Sequence, residues 1–467
     1  MHLTKFDRGF TRRYFLESVG KSALGAGMLA PLWDVVAKDG DVSRAYPDEA
    51  LSIESYTGGL VKPGDVVDHG NVDAIRNLID PYLFEQIKSD GRVIRVVPTT
   101  TDLNRLSPSP FNEATLRHRG KCYLDTKGNV RTGDGERWPG GNPFPDGGTA
   151  QQIVAANTLA WGRHDGVLYP VKEWEMGADG VEQYHYQYMF VEYLAAGRTV
   201  MTPKPDLPGH EDTFRFVATK FTSPRNVRVT SLLCIWPYDQ TQHTDFVGNM
   251  PAFCPIRTRR FPTTRRFEPI VWGSTLFPTD IWLTGDPYLK WGNFRLLGKR
   301  PWLGAVSNLN WSGHRDNWEH GRHGGASGQR YFNTTFELIP EAYVVELEPL
   351  GYHWARYGKK RIWFDARALV PLAMVVYDRH GQALKHVDWS SGLYDRPTGE
   401  SFSGGQKDPF WSWTHIHSHD VQDDHITIAQ QVAQVTGDGV HRTRVNDPAI
   451  YDLYCSVNAL HRYEPPQ

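Results

Sequence analysis

Three histidines at alternating positions, His415, His417 and His419, are the residues best placed to do chemistry in this sequence. Alternate side chains of a β-strand project from one face, roughly 7 Å apart. Two imidazoles at that spacing, with a carboxylate nearby, can hold zinc, iron or copper, whereas three in a row strain the geometry around one ion. The alternative is a solvated edge rich in histidine and aspartate. The pattern therefore supports the hypothesis of a metal-dependent enzyme, with a metal ion as its cofactor.

Beyond these histidines, the sequence carries none of the common catalytic signatures. It has no H-E-x-x-H zinc motif, no G-x-S-x-G nucleophile, no Walker loop and no Rossmann glycine fingerprint. A second histidine group, His314, His320 and His323, would strengthen the metal hypothesis if the two segments meet. We therefore lean against an enzyme and predict no cofactor, with a metal ion as the open alternative.

Aromatic residues form the second notable pattern. Tyr184, Tyr186, Tyr188 and Phe190 alternate, so a strand would place all four on one face. Large apolar rings with polar tips suit a groove that holds an amphipathic ligand. The alternative is a sheet core that binds nothing. Four more aromatic residues are candidates for the same ligand-binding wall: Phe144, Trp161, Trp291 and Trp363.

A basic cluster with interleaved phenylalanines contains Arg257, Arg259, Arg260, Arg265 and Arg266. Guanidinium groups bind carboxylates and phosphates through paired hydrogen bonds. One hypothesis is therefore that the first three arginines bind an anionic head group or an acidic partner surface. The alternative is an ordinary solvated strand face.

Hydrophobic periodicity predicts the elements that must position these residues. An alanine-rich helix is expected over 151–161, followed by strands, and Asp378-Arg379-His380-Gly381 is a plausible hairpin turn between two of them. Strands that follow one another without intervening helices form antiparallel sheets. We therefore predict an α+β fold, mainly β, divided into an N-terminal helical and loop region (46–150), an antiparallel sheet domain (151–396) and a C-terminal extension (397–467).

The first 45 residues have the order of a bacterial twin-arginine export signal. Arg12 and Arg13 precede an aromatic–leucine pair and a short, weakly apolar run. This run is too short and too interrupted to span a bilayer. We predict a signal peptide over residues 1–45, cleaved after Ala37 or Ala45, and a protein that is soluble in the periplasm. The alternative is a chance arginine pair before an amphipathic helix.

Charge and cysteine content exclude some classes of protein. A formal net charge of −2 over 467 residues gives no basic footprint for nucleic acid. The four cysteines are far apart and form no C-x-x-C pair. In an oxidising compartment Cys234 and Cys254 would be the most local disulfide, and buried thiols are the alternative.

Several motifs carry a resemblance to a known family. They are Gly141-x-Pro143-Phe144-Pro145, the helix ending at Trp161, the arginine-rich stretch 257–262, Asp280-x-x-x-x-Gly285, Trp291-x-x-x-Arg295-Leu296-Leu297-Gly298-Lys299, Lys360-Arg361-x-Trp363-Phe364-Asp365 and Tyr377-Asp378-x-x-Gly381-x-x-Leu384-Lys385. In this order they resemble the domain of unknown function 1329 family of Gram-negative envelope proteins. The sequence departs from commoner members in its twin-arginine signal and in its histidine-rich segments.

This resemblance implies the fold of the LolA/LolB lipoprotein carriers, a curved antiparallel sheet, or half barrel, wrapped around helices with an apolar interior. It implies a periplasmic binding or transfer protein for a hydrophobic or lipid-like molecule, working with an envelope transporter. Two other hypotheses stay open: a metal-dependent periplasmic enzyme that uses the histidines, and an accessory subunit of an envelope complex that binds no ligand. During export the partner would be the twin-arginine translocase.

Overall fold

The computed structural model describes most of the chain beyond residue 31. The described residues are 32–225, 227–228, 230–249, 258–261, 287–306, 322–323, 330–332, 334–352, 355–394, 410–432 and 434–461. Arg12, Arg13, Arg257, His314 and His320 lie outside them. In this described part, no helix has both the length and the apolar character that crossing a membrane requires.

The helices of the described residues are short. They are α1 (Leu32–Asp39), α2 (Asp48–Leu51), α3 (Ile53–Thr57), α4 (Pro81–Lys88), α5 (Ser109–His118), α6 (Ala150–Ala160), α7 (Ala449–Tyr454) and α8 (Val457–His461). Four 3₁₀ turns accompany them at Val42–Ala45, Val72–Leu78, Leu103–Arg105 and Tyr288–Lys290.

Strands dominate the described residues. The first ten are β1 (Val66–Val67), β2 (Ile94–Val97), β3 (Cys122–Leu124), β4 (Val130–Thr132), β5 (Gly166–Met176), β6 (Glu182–Leu194), β7 (Thr213–Ser223), β8 (Ser231–Pro237), β9 (Asp245–Asn249) and β10 (Thr258–Phe261). The next six are β11 (Gly292–Val306), β12 (Arg322–His323), β13 (Tyr331–Phe332), β14 (Thr335–Glu348), β15 (Tyr357–Asp365) and β16 (Pro371–Asp378). The last six are β17 (Ala383–Tyr394), β18 (Phe410–Asp420), β19 (His425–Gln431), β20 (Gln434–Val435), β21 (His441–Arg442) and β22 (Arg444–Val445).

Most of these strands form one large sheet, in the order β1-β2-β14-β15-β16-β17-β18-β19-β5-β6-β7-β8-β9-β10. Its pairs are antiparallel apart from β2 with β14 and β11 with β17. This arrangement confirms the predicted mainly β fold with an antiparallel sheet. Strands β18 and β19 lie in the middle of the sheet, between β17 and β5. The sheet therefore continues through the region expected to be a C-terminal extension.

The hairpin between β16 and β17 forms at the predicted turn. The Asp378 side chain accepts hydrogen bonds from the backbone N–H groups of His380 (2.8 Å) and Gln382 (2.9 Å). Gly381 adopts a φ of 81°, which glycine reaches without a steric penalty. Aspartate and glycine thus fix the turn, and the turn fixes the register in which Met374 pairs with Val387.

Helix α6 begins at a capping box. The Thr149 side chain accepts from the Gln152 N–H, and the Gln152 side chain accepts from the Thr149 N–H. Gly147 and Gly148 precede the box with positive φ angles. Nine of the eleven residues of α6 are buried, which is the pattern of a helix enclosed on all sides.

Helix α6 packs against what we call the inner face of the sheet. Alternation along each strand supplies apolar residues to this face from both halves of the sheet, among them Val171, Tyr188, Phe221, Val345, Phe364, Met374, Val387 and Ile416. Because these residues and α6 share one apolar cluster, the sheet curves around the helix. This is the arrangement that the family resemblance implied.

The outer face of the sheet is covered by the two ends of the described chain. Trp33 and Val36 of α1 pack in an apolar cluster with Trp302 and Trp363, whose rings stack at 4.8 Å. Helices α7 and α8 pack on the outer face of β6 to β8. Part of the predicted signal peptide, residues 32–45, is therefore built into the folded core, while the export signal itself stays a prediction.

Candidate functional site

The predicted aromatic wall lies along the inner face of β6. Tyr186 and Tyr188 are buried in the inner apolar cluster, and Phe190 packs at its margin and stacks on Tyr169, with ring centroids 5.4 Å apart. Tyr184 is half exposed and stacks on Tyr186 at 6.2 Å. The four residues share one face, as their spacing predicted.

Three of the four additional aromatic candidates belong to the same face. Phe144 and Trp291 lie in the inner cluster, and Trp161 packs against it at the end of α6. Trp363 lies on the outer face, stacked on Trp302. The structure therefore separates Trp363 from the other seven residues, because its position in β15 alternates away from the inner neighbour Phe364.

A small pocket opens where α6 ends against the inner face. It has a volume of about 20 Å³ and is lined in part by Asn157, Trp161, Arg163, Tyr169, Glu192 and Trp411. A cavity of this size holds roughly one water molecule. Side chains thus fill the inner face next to α6, and an acyl chain would enter only if α6 or its neighbours moved.

Arg163 is the most unusual polar group in this pocket. Its guanidinium is buried between the rings of Phe111 and Trp411, at 4.9 and 4.6 Å from their centroids. It donates to Ser107 Oγ at 2.5 Å and to the carbonyl oxygen of Ala368. Burial lowers the pKa of Arg163 to about 9, so the side chain still carries its charge at neutral pH.

Glu192 lies on the other side of Gly162 and is also buried. Burial raises its pKa, against the opposing effect of Arg215, whose Nη1 lies 3.7 Å from Glu192 Oε1. A Cβ atom on residue 162 would lie 2.8 Å from Glu192 Oε2, so a larger residue there would displace the carboxylate. Nearby, Trp413 Nε1 donates to Tyr169 Oη at 2.9 Å, so this end of the inner face combines rings with polar groups.

The predicted histidines occupy the outer face, where they join a buried polar network. Gln86 of α4 places its Nε2 atom 3.3 Å from His386 Nδ1 and 3.2 Å from His419 Nδ1. Because an amide nitrogen only donates, both histidines accept at Nδ1 and carry their proton on Nε2. Those Nε2–H groups lie 3.1 Å from Asp80 Oδ2 and 2.9 Å from Asp424 Oδ1, respectively.

An arginine–aspartate pair completes this network. Arg92 donates to both carboxylate oxygens of Asp388, at 3.0 and 2.7 Å, and to Gln86 Oε1 at 2.7 Å. His417 Nδ1 lies 3.5 Å from Asp388 Oδ2. Burial opposes ionisation of Asp388, but Arg92 and His417 outweigh it and hold the pKa of Asp388 well below its ordinary value. We call Asp80, Gln86, Arg92, His386, Asp388, His417 and His419 the outer network.

The geometry of the outer network is that of hydrogen-bonded pairs. Among the described residues, no three metal-ligating side chains converge on one point. His415 Nδ1 lies 2.8 Å from Thr414 Oγ1 instead. The partner histidine group predicted for the metal site falls mainly outside the described residues, so the metal hypothesis stays a prediction.

The remaining predicted residues are only partly described. Arg259 and Arg260 lie on β10, which pairs with β9, and their side chains lie outside the described part. Cys234 lies on β8 within the inner cluster, whereas Cys254 is not among the described residues. Neither the anion-binding hypothesis for this cluster nor the disulfide is therefore tested.

Sequence reasoning missed the polar residues that face these rings and histidines. Asp80 stands singly among apolar residues, whereas Arg92 follows a polar turn and Arg163 follows a helix end. A lone charge within an alternating strand, as in His386-Val387-Asp388-Trp389, signals a buried polar partner. Nothing in the sequence identifies that partner, because it comes from residues about 300 positions away.

Comparison with known proteins finds a family model that matches most of the chain. A family model described as "Protein of unknown function (DUF1329)" matches residues 66–458. No curated protein matches the sequence.

Solved structures align with low similarity. A DUF1329 family protein from Desulfovibrio piger is 15% identical, with 66% of this chain and 96% of that chain covered and a TM-score of 0.41. A protein from Vibrio parahaemolyticus, provisionally described as an outer membrane lipoprotein-sorting protein domain, is 15% identical, with 67% and 96% covered and a TM-score of 0.40. A LolA superfamily protein from Nitrosomonas europaea is 14% identical, with 65% and 97% covered and a TM-score of 0.35.

Proposed function

The chain belongs to the DUF1329 family, and from its inner face we propose that it binds and transfers a hydrophobic or lipid-like molecule in the bacterial periplasm. The observation that carries this proposal is the large apolar cluster that both halves of the sheet form with α6. Burying an acyl chain against such a surface gains about 0.8 kcal/mol per methylene. The predicted twin-arginine signal supplies the periplasmic location.

Helix α6 is the element that a guest would displace. Ala150, Ala155, Ala156 and Ala160 give it small side chains, so it gives up less apolar contact on leaving the sheet than a leucine-rich helix would. Gly147 and Gly148 precede it, and Gly162 and Arg163, the latter at a φ of 53°, follow it. The backbone at both ends of α6 can therefore change direction, as the backbone of hinge residues does.

The closed pocket fits a carrier that has no cargo. A cavity of about 20 Å³ is too small to destabilise the empty protein greatly. The guest and α6 would compete for the same inner face, so binding and helix displacement are one event. Such competition also provides for release, because a partner that favours the closed arrangement expels the guest. An envelope transporter is the partner that we propose for this step.

Solvent extraction of the protein, followed by mass spectrometry, tests this function. The full-length gene is expressed in a Gram-negative host, and the protein is purified from the periplasmic fraction without detergent. The expected result is one class of apolar molecule at near-stoichiometric amount, absent from a periplasmic protein of similar size purified in parallel. An extract that matches this control, together with no saturable binding of the uncharged dye N-phenyl-1-naphthylamine, would exclude the carrier role.

A further inference from the structure

Arg163 is a buried cation whose charge nothing nearby balances. It is 6% exposed, and among the described residues no carboxylate forms an ion pair with it. The nearest acidic influence comes from Asp365, whose carboxylate is already held by Arg367 at 2.7 Å. Removing a cation from water without a counter-charge costs several kcal/mol. Next to the pocket, an anion from outside the chain would supply the missing counter-charge.

Three other buried arginines of the described chain have acidic partners. Arg92 pairs with Asp388 at 2.7 Å, Arg367 with Glu337 at 2.8 Å, and Arg215 with Glu192 at 3.7 Å. The last pair matters here because Glu192 is the carboxylate that shares the pocket with Arg163. Since Glu192 faces Arg215, it does not neutralise Arg163.

The guanidinium also has donors to spare. It carries five N–H groups, and the two hydrogen bonds to Ser107 and Ala368 use one on each terminal nitrogen. Its Nε–H is buried and has no acceptor. A buried donor without an acceptor destabilises the protein. The edge of the guanidinium that carries the Nε–H group is therefore the part that an external anion would bind.

We infer that Arg163 is the receptor for an anionic head group, a carboxylate or phosphate, at one end of the apolar molecule that the inner face binds. The inference rests on the proposed function and adds the chemical class of its ligand. A planar guanidinium binds such groups through two parallel hydrogen bonds. The head group would enter the pocket at the end of α6, where Trp161 and Tyr169 mark the start of the apolar face. The chain of the ligand would then follow that face under the displaced helix.

Matched ligands with and without a charge test this inference. Decanoate, decyl phosphate and decanol share one chain, and each is titrated into the full-length protein preloaded with N-phenyl-1-naphthylamine. Hydrogen bonds to charged groups contribute about 1.5–3 kcal/mol, so the wild type should prefer at least one anionic ligand over decanol by about 10- to 100-fold. The comparison of decanoate with decyl phosphate identifies the head group.

Three variants separate recognition from stability. Arg163→Gln should lose the preference for the anion while it binds decanol as the wild type does. Arg163→Lys keeps the charge but lacks the planar guanidinium, so it should retain part of the preference. This variant keeps the test informative if Arg163→Gln folds poorly. Arg198→Gln is the matched control, because Arg198 is also buried without an acidic partner among the described residues but does not line the pocket.

Each outcome decides the inference. Equal wild-type affinity for decanoate, decyl phosphate and decanol would overturn it and leave the carrier role intact. The inference is also overturned, with the carrier role intact, if Arg163→Gln keeps the preference for the anion. It is overturned in the same way if Arg198→Gln loses that preference as much as Arg163→Gln does. If none of the three ligands displaces the dye, the carrier role fails and this inference fails with it.

Discussion

Arg92 and Asp388, which are 296 positions apart in the sequence, form a bidentate ion pair in which both side chains are buried. Arg92 follows α4, and Asp388 lies on β17 in the large sheet. The pair therefore fastens the N-terminal region to the outer face. Around it, Gln86 fixes the tautomers of His386 and His419, so that each hydrogen bond of the outer network depends on the next.

Breaking this pair should destabilise the fold strongly. Arg92→Met removes the bidentate partner of the buried Asp388 carboxylate and leaves it only His417, and breaking a buried ion pair in this way costs about 3–5 kcal/mol. The double variant Arg92→Met, Asp388→Leu should be more stable than Arg92→Met, because no lone charge remains. Urea unfolding followed by fluorescence measures both. Arg444→Met, which breaks an exposed pair with Asp447, is the control and should change stability by less than about 1 kcal/mol. A single variant as stable as this control would contradict the role of the pair.

Stability should fall as the pH decreases from 6.5 to 4. Burial lowers the pKa of His419 to about 4, against the opposing effect of Asp424, whereas a histidine in the unfolded chain titrates near 6.5. Between these values the unfolded state binds more protons, so the free energy of unfolding decreases as pH falls, by up to about 1.4 kcal/mol per pH unit for this group. His419→Gln should flatten the slope, whereas His380→Gln, on the exposed hairpin, should not. Equal slopes in both variants would exclude His419 as the source.

Residues 32–45 should remain in the mature protein. Trp33 is 2% exposed in the cluster with Trp302 and Trp363, and truncating a buried tryptophan costs about 3–5 kcal/mol. Trp33→Ala should lower the thermal midpoint clearly, and Lys38→Ala, at an exposed position of α1, should not. Mass spectrometry of the periplasmic protein should find an N-terminus at or before Leu32. A terminus at Tyr46 with full stability would show that this segment is dispensable.

Local patterns predicted the parts of the fold that local chemistry determines. The Asp378–Gly381 turn, the alternation of Tyr184 to Phe190 and the alanine-rich helix all have their causes within a few residues, so the sequence identified them. Such patterns do not locate every strand end: the β-branched residues Val227 and Thr230 lie before β8, because they belong to a turn in which Val227 N–H donates to the carbonyl oxygen of Pro224.

Contacts between residues far apart in the sequence could not be predicted from local patterns. His386 and Asp80 are 306 positions apart, and no periodicity connects them. The histidines were predicted to share a face of a strand, and His417 and His419 do join one network. Their hydrogen-bond partners come from the N-terminal region, so these partners depend on how that region packs on the sheet. The nearby carboxylates of Glu192 and Asp365 pair with other arginines, so Arg163 has no acidic partner in the described fold, and this follows from the packed structure alone.

Titration with N-phenyl-1-naphthylamine tests the central claim, that the inner face binds an apolar guest, most directly. The wild type should bind the dye saturably with one site. Tyr186→Ala, Tyr188→Ala should weaken binding about tenfold or more, since each lost aromatic contact contributes about 0.5–1.5 kcal/mol beyond its buried area. Met189→Ala, buried on the outer face of the same strand, should bind as the wild type does. Unchanged dye affinity in a folded double tyrosine variant, or equal loss in Met189→Ala, would contradict the account.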